Sequence, residues 1–169
     1  MQKPLKIEYK KFGTALFAAV LGVFVAADKV SADEQVFIER GMFVLDLVQN
    51  IEWLRCSLGQ VWDGNTCKGE IMKLNHDEIE QAVLQANEQL GEGWRLPTSY
   101  ELKNIVCKAC APPKIDLALF PATSAEPYWT GEANPHRKPN IYSINFYTGH
   151  RYGNFFPYQR LAVRLVRDR

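Results

Sequence analysis

The chain has 169 residues, with 20 Lys or Arg against 19 Asp or Glu, a net charge of +1 at neutral pH. Apolar residues make up 47% and charged residues 23%. A charge so near zero supplies no global basic field, which argues against nucleic acid or an anionic membrane surface as partner.

The first segment begins with Lys3, Lys6, Lys10 and Lys11. An uncharged run follows, "FGTALFAAVLGVFVAA" at 12–27. Val30 and Ala32 then stand at −3 and −1 if cleavage follows Ala32. This is the layout of a secretory signal peptide. The apolar run is shorter than the roughly 20 residues that a membrane span needs. The expectation is a signal peptide over 1–32 and one domain over 33–169, in the periplasm or at the cell surface, with no stable membrane span after cleavage. No Cys lies near the cut, which argues against a lipoprotein. Loss of Lys3, Lys6, Lys10, Lys11 and Lys29 with Glu8 and Asp28 leaves 15 basic and 17 acidic residues, a net charge of −2.

In the domain, "MFVLDLVQNIEWLR" at 42–55 predicts two short strands around a turn at Gln49-Asn50, with Phe43, Leu45 and Leu47 alternating in the first. "WDGN" marks a turn between Cys56 and Cys67. Asn75 with Glu78 three residues on forms a capping box, and Ile79, Val83, Ala86 and Leu90 fall on one helical face. Gly91 is placed to end that helix, so it spans about 76–90. Thr98 and Glu101 make a second capping box before Leu102, Ile105 and Val106, a helix from about 99 to 108. Trp94 and Leu96 precede it as an apolar lead-in. Prolines in "APPKIDLALFPAT" forbid continuation of the helix, and its apolar residues suggest a loop packed on the core.

Three strand candidates close the chain. They are "EPYWTG", "NIYSINFYTG" with its turn at Thr148-Gly149, and "RLAVRLVR", where Leu161, Val163 and Leu165 alternate with Ala162, Arg164 and Val166. Two helices between terminal strands predict an α+β fold. The terminal strands are expected to pair.

Four cysteines, an even count in an exported chain, favour two disulfides over other uses. Of three connectivities, Cys56–Cys67 with Cys107–Cys110 is preferred. The first closes a small loop rich in turn formers. The second joins residues three apart, with Cα atoms about 5 Å apart at helical spacing. A four-Cys zinc site is disfavoured because Cys56 and Cys67 are too far apart for a knuckle. A thioredoxin-like pair at Cys107 and Cys110 lacks a βαβ context.

"IEWLRCSLGQVWDGNTCKG", "GWRLPTSYELKNIV", "IDLALFPAT", "YWTG" and "AVRLVR" occur in that order. Together they resemble the Lcl C-terminal domain family, named after collagen-like bacterial adhesins, over about 42–167. The resemblance implies a C-type-lectin-like fold, related to that of formylglycine-generating enzymes: two short helices with an irregular, loop-rich antiparallel sheet. It also implies an exported binding domain, since the best-known type binds sulfated glycosaminoglycans. This chain lacks the collagen-like repeat, so trimeric presentation on a stalk is not implied. Arg95 in "WRLPT" is expected to be partly buried and paired with a carboxylate.

Catalysis finds little support. His76, His136 and His150 belong to no catalytic motif and read as surface histidines. Reactive cysteines at Cys107 and Cys110, near Lys103, Lys108 and Lys114, would follow only from likeness of fold to the formylglycine-generating enzymes. No cofactor is expected. Glu132 and Asn134 in "GEANP" offer oxygens for calcium, but the lectin tripeptide Glu-Pro-Asn is absent, and "KPN" at 138–140 puts Lys where the carboxylate belongs.

The candidate binding surface comprises two loop regions. Residues 126–143 carry Tyr128, Trp129, Glu132, Asn134, His136, Arg137, Lys138 and Tyr142. Residues 149–160 add His150, Arg151 and Tyr152. Arg and Lys suit sulfate or carboxylate groups, and aromatic faces suit sugar rings. The expected function is a non-enzymatic, exported, adhesin-like or envelope-associated module that recognises a glycan or a protein of the surface or envelope. The alternatives are a structural partner of a surface or pilus assembly and a thiol oxidoreductase built on Cys107 and Cys110.

Overall fold

The structure is a computed structural model and describes residues 36–169; the expected signal peptide, 1–32, lies outside the described residues. Strands β1 (Phe37–Arg40), β2 (Phe43–Asp46) and β3 (Ile51–Leu54) form an antiparallel meander. The β2–β3 turn sits at 47–50, around the expected Gln49-Asn50. Asp46 Oδ1 accepts from the N–H groups of Val48 and Gln49 at 3.0 Å each. Asn50 takes a φ of +54°, which Asn tolerates because its side chain bonds locally. β1 has no counterpart among the expected strands: it is a mostly exposed edge strand, so burial imposes no strong pattern on it.

The chain between Cys56 and Cys67 is a small ribbon of β4 (Val61–Trp62) and β5 (Cys67–Lys68), closed by the Cys56–Cys67 disulfide. Its turn is built by Asp63 Oδ1, which accepts from the N–H groups of Asn65 and Thr66. β6 (Lys73–Leu74) leads into α1 (His76–Leu90), where Asn75 and Glu78 cap reciprocally and Gly91 ends the helix at a φ of +87°. The second capping box, Thr98 with Glu101, opens α2 (Ser99–Asn104).

α2 is shorter than the expected 99–108. Val106 leaves the helix to bridge Ile115, and the Cys107 N–H donates to Lys114 O. The Pro-containing loop thus takes backbone groups that the helix would have used. Cys107 and Cys110 are joined in the turn beyond the helix.

β7 (Pro127–Ala133), β8 (Ile141–Asn145) and β9 (His150–Phe155) form two successive hairpins. The terminal stretch does not form the single strand expected over 160–167. β10 (Leu161–Ala162) joins a sheet of order β6-β10-β7-β8-β9, parallel only to β7. β11 (Val166–Asp168) joins the other sheet, β1-β2-β3-β11, antiparallel to β3. The chain therefore changes sheets at 163–165, where Val163 O and Leu165 O accept from the N–H groups of Leu58 and Leu54. The result is an α+β fold with mainly antiparallel pairing, and the amino-terminal meander shares a sheet with the carboxy-terminal strand.

Residues 161–166 are buried throughout, because their alternation divides two cores rather than core from solvent. Ala162 and Val166 join Trp53, Leu102, Phe120 and Tyr128 in one core. Leu161, Val163 and Leu165 join Ile79, Ala86, Trp94 and Trp129 in the other. α2 supplies the first core and α1 the second. Among the described residues, no helix is long and apolar enough to cross a membrane.

Trp94, Arg95, Leu96 and Pro97 lead into α2 and anchor it, as the apolar lead-in before the capping box suggests. Trp94 is buried and stacked on Phe43, with ring centroids 5.6 Å apart. Arg95 pairs through its backbone with Val166. Its guanidinium grips Glu101 at 2.9 and 2.8 Å and reaches Asp168 at 2.5 Å. Burial raises the Glu101 pKa, but the Arg95 bonds and the Thr98 N–H outweigh it and hold the carboxyl below its usual range. The same pair raises the Arg95 pKa against its own desolvation.

His76 departs from its expected place on the surface. Its ring packs edge-on against Trp129 at 4.7 Å. Nε2 is buried with no partner among the described groups, and desolvation lowers the pKa.

Arg95→Ala should cost about 2–3 kcal/mol in chemical denaturation, because it removes a forked ion pair and leaves Glu101 uncompensated. The pH dependence follows from the lowered Glu101 pKa. This part of the stability is complete above the ordinary carboxylate value of 4.5 and disappears as pH falls through the lowered one. The variant should therefore show a shallower loss of stability on acidification. A cost below about 0.5 kcal/mol, as for an ordinary surface substitution, would contradict the anchoring role.

Candidate functional site

The β7–β8 hairpin is organised by Asn134. Its N–H donates to Asn140 O at 2.7 Å, its Oδ1 accepts from the His136 N–H at 3.0 Å, and its Nδ2 donates to Gly153 O at 2.8 Å. Asn134 is thus a structural brace for the loop. The same Oδ1 accepts from the Tyr142 hydroxyl at 3.2 Å. The Arg151 guanidinium lies over the Tyr142 ring, 4.4 Å from its centroid. Cation–π contact holds a guanidinium flat without consuming its N–H donors.

Beside Arg151 is a cleft of about 330 Å³ lined by Ser99, Tyr100, Lys103, Glu132 and Arg151. Glu132 Oε2 accepts from the Ser99 N–H at 3.1 Å. Lys103 Nζ donates to Gly149 O, tying α2 to the β8–β9 turn. Tyr100 is 68% exposed, and Ser99 is buried with a hydroxyl that has no partner among the described groups.

The sequence-based candidates separate into four groups. Glu132 and Arg151 come together at the cleft, with Tyr142 against Arg151 and Asn134 on the Tyr142 hydroxyl. His136, Arg137 and Lys138 are exposed at the hairpin tip. His150 and Tyr152 are exposed but alternate with Arg151 along β9, and so face the other side of the sheet; Tyr152 meets Thr148 through its hydroxyl. Tyr128 and Trp129 are not ligand platforms. Both are 0% exposed. Tyr128 bonds the Ser57 hydroxyl, and Trp129 Nε1 donates to Leu74 O. β7 lies between β10 and β8 with a core on each face, so neither ring reaches the surface.

Charge pairing distinguishes this side of the molecule. Arg55, Lys68, Lys73, Arg95, Arg160 and Arg167 each meet a carboxylate. Among the described residues, Lys103, Lys108, Lys114, Arg137, Lys138 and Arg151 form no ion pair; Arg40, Arg164 and Arg169 form none either but are scattered elsewhere in the fold. Lys114 Nζ donates to Lys108 O and Cys110 O, and its side chain lies by Gly149. The first six therefore run from the 107–114 loop, past α2 and the cleft, to the hairpin tip.

Sequence reasoning missed two features. Ser99, Tyr100 and Lys103 reach the cleft only because α2 packs across β7, β8 and β9, which no local pattern announces. A separate groove of about 470 Å³ lies between α1 and the Cys-bounded ribbon, lined by Met42, Val61, Trp62, Met72, Gln85 and Gln89 among others, none of them charged. Its sequence signal is faint: small Ala82 and Ala86 beside Gln85 and Gln89 on α1.

All four cysteines are bonded in the preferred pairing, which removes the thiolates that a four-Cys zinc site requires. Among the described residues, no cluster of three His, Cys, Asp or Glu side chains is placed to hold a metal ion.

An α+β domain braced by two disulfides, presenting loops from two hairpins beside a capped helix, is the class of protein described by this geometry. Residues 42–167 match the Lcl C-terminal domain family, and the chain belongs to it. Searches of curated proteins and of solved structures found no match.

The disulfides should differ in reducibility. Cys56 and Cys67 are buried, whereas Cys107 and Cys110 are half-exposed, and thiol exchange depends on access. Graded dithiothreitol followed by alkylation and mass spectrometry should show Cys107 and Cys110 labelled first, with the fold retained. Earlier labelling of Cys56 and Cys67 would contradict this assignment.

Proposed function

We propose that this protein is an exported, non-enzymatic binding module of C-type-lectin-like arrangement, envelope-associated or displayed at the cell surface, that recognises an anionic glycan. The observation that carries the reading is the concentration of cations without carboxylate partners around the cleft and the β7–β8 hairpin. Elsewhere among the described residues most basic side chains meet a carboxylate; here Arg137, Lys138 and Arg151 are exposed and make no side-chain hydrogen bond among the described residues, and sulfate or carboxylate groups would complete their donors. Loops held by a rigid scaffold suit recognition, and two disulfides suit an oxidising compartment. The polyanion-binding member of the resembling family points the same way. The uncharged groove on the α1 side favours a second reading, a protein partner within a surface or pilus assembly, since Met and Trp adapt to apolar partner side chains.

The purified protein should bind a heparin column and elute with salt, because contacts of this kind are screened. Replacing Arg137, Lys138 and Arg151 together with Ala should weaken heparin binding by about tenfold or more at low salt, with an unchanged melting temperature. Retention equal to that of the wild type would eliminate this surface.

A further inference from the structure

A diffuse basic strip and a built subsite make different demands on the ligand, and the cleft has features of the second kind. Arg151 is positioned through a chain of contacts: Gly153 O holds Asn134, Asn134 holds the Tyr142 hydroxyl, and the Tyr142 ring holds the guanidinium. The chain requires glycine at 153. A Cβ there would lie 2.5 Å from Tyr142 Cε1 and 2.6 Å from Asn134 Nδ2, separations at which the ring and the amide must move. Hydrogen bonds hold Asn134 and the Tyr142 hydroxyl, and the ring leaves the guanidinium edge without an acceptor among the described residues.

Next to this cation the cleft places a carboxylate. Glu132 and Arg151 line the same space, yet they form no ion pair. Glu132 is held by the Ser99 N–H through one oxygen, and Oε1 has no partner among the described residues. A surface serving only as a polyanion magnet gains nothing from a carboxylate here. A site for a unit carrying both an acidic group and a hydrogen-bond donor does gain.

We infer that the cleft is a saccharide subsite for one acidic sugar unit, in which Arg151 takes the sulfate or carboxylate in a forked contact and Glu132 Oε1 accepts from a neighbouring hydroxyl or amide N–H. Lys103 adds charge to the anionic side, and the exposed Tyr100 ring offers a face to the sugar. This inference rests on the anionic-glycan reading and deepens it: Arg151 determines specificity, whereas Arg137 and Lys138 add charge alone.

The test is calorimetric titration of the purified protein and its variants with a heparin-derived tetrasaccharide. Arg151→Lys keeps the charge but loses the fork, and should weaken binding about tenfold. Arg137→Lys should stay within about twofold. Glu132→Gln separates the alternatives by sign. It removes a negative charge beside an anionic ligand, so simple electrostatics predicts tighter binding; the subsite predicts weaker binding, by about threefold or more. The amide oxygen of Gln can still accept from Ser99, so the local fold survives. Unchanged or tighter binding by Glu132→Gln, or wild-type affinity in Arg151→Lys, overturns the subsite while leaving the anionic-glycan reading in place. Absence of wild-type binding to both tetrasaccharide and heparin overturns the reading itself, and the subsite with it.

Discussion

Arg164 is fully buried and has no carboxylate partner among the described residues. Nη1 donates to Leu54 O at 2.8 Å and to Arg55 O; Nη2 donates to Thr123 Oγ1 at 2.7 Å and to Ser57 Oγ at 3.3 Å. The guanidinium lies over Phe120, 4.8 Å from the ring centroid. Burial pushes its pKa down to about 10, still well above neutrality, so the group remains charged. A buried guanidinium costs several kcal/mol in desolvation, which the four acceptors on Nη1 and Nη2 offset; Nε is buried with no partner among the described groups. Those acceptors come from the exit of β3, the start of the Cys-bounded loop and the loop before β7. Arg164 itself lies where the last stretch of chain passes from one sheet to the other. Three separate stretches of the chain thus meet at one side chain.

Because the crossing is fixed there, the terminal stretch can divide the domain into two cores by parity. α1 covers one and α2 the other. The uncharged groove opens on the α1 side, against the disulfide-closed ribbon. The cleft opens on the α2 side, where β7, β8 and β9 bring Glu132 and Arg151 to Ser99, Tyr100 and Lys103. The two candidate surfaces differ in chemistry because different helices and loops build them. Among the described residues, the cleft side gathers six cations that no carboxylate of the fold neutralises.

What was legible in the sequence was mainly local. Asn75 with Glu78 and Thr98 with Glu101 mark helix starts because the bonds they make span only three residues. The cysteine pairing followed from the short closed loops and their spacing. Arg95 found its carboxylate on the following helical turn. The readings that failed required knowledge of what lies on the far side of a strand. Tyr128 and Trp129 occupy a loop-flanked, aromatic and polar stretch that resembles a binding surface, yet β7 is central and covered on both faces. The alternation of residues 161–166 suggested one strand, whereas the chain changes sheets between two cores. His76 sits in the first turn of α1, an ordinary place for an exposed group, but Trp129 closes over it. The cleft was half legible: Glu132, Tyr142 and Arg151 stood out by residue type, and their neighbours on α2 did not.

The central claim is that the fork of Arg164 holds the sheet crossing together. Arg164→Lys tests it most directly, since lysine keeps a cation in place but cannot reach the carbonyl and hydroxyl acceptors with a planar fork. Hydrogen exchange at the amides of Leu54, Leu58 and Val166 reports on the crossing. The account predicts that the substitution costs about 3 kcal/mol or more and lowers protection at all three amides together. Wild-type protection at those amides in Arg164→Lys would contradict it.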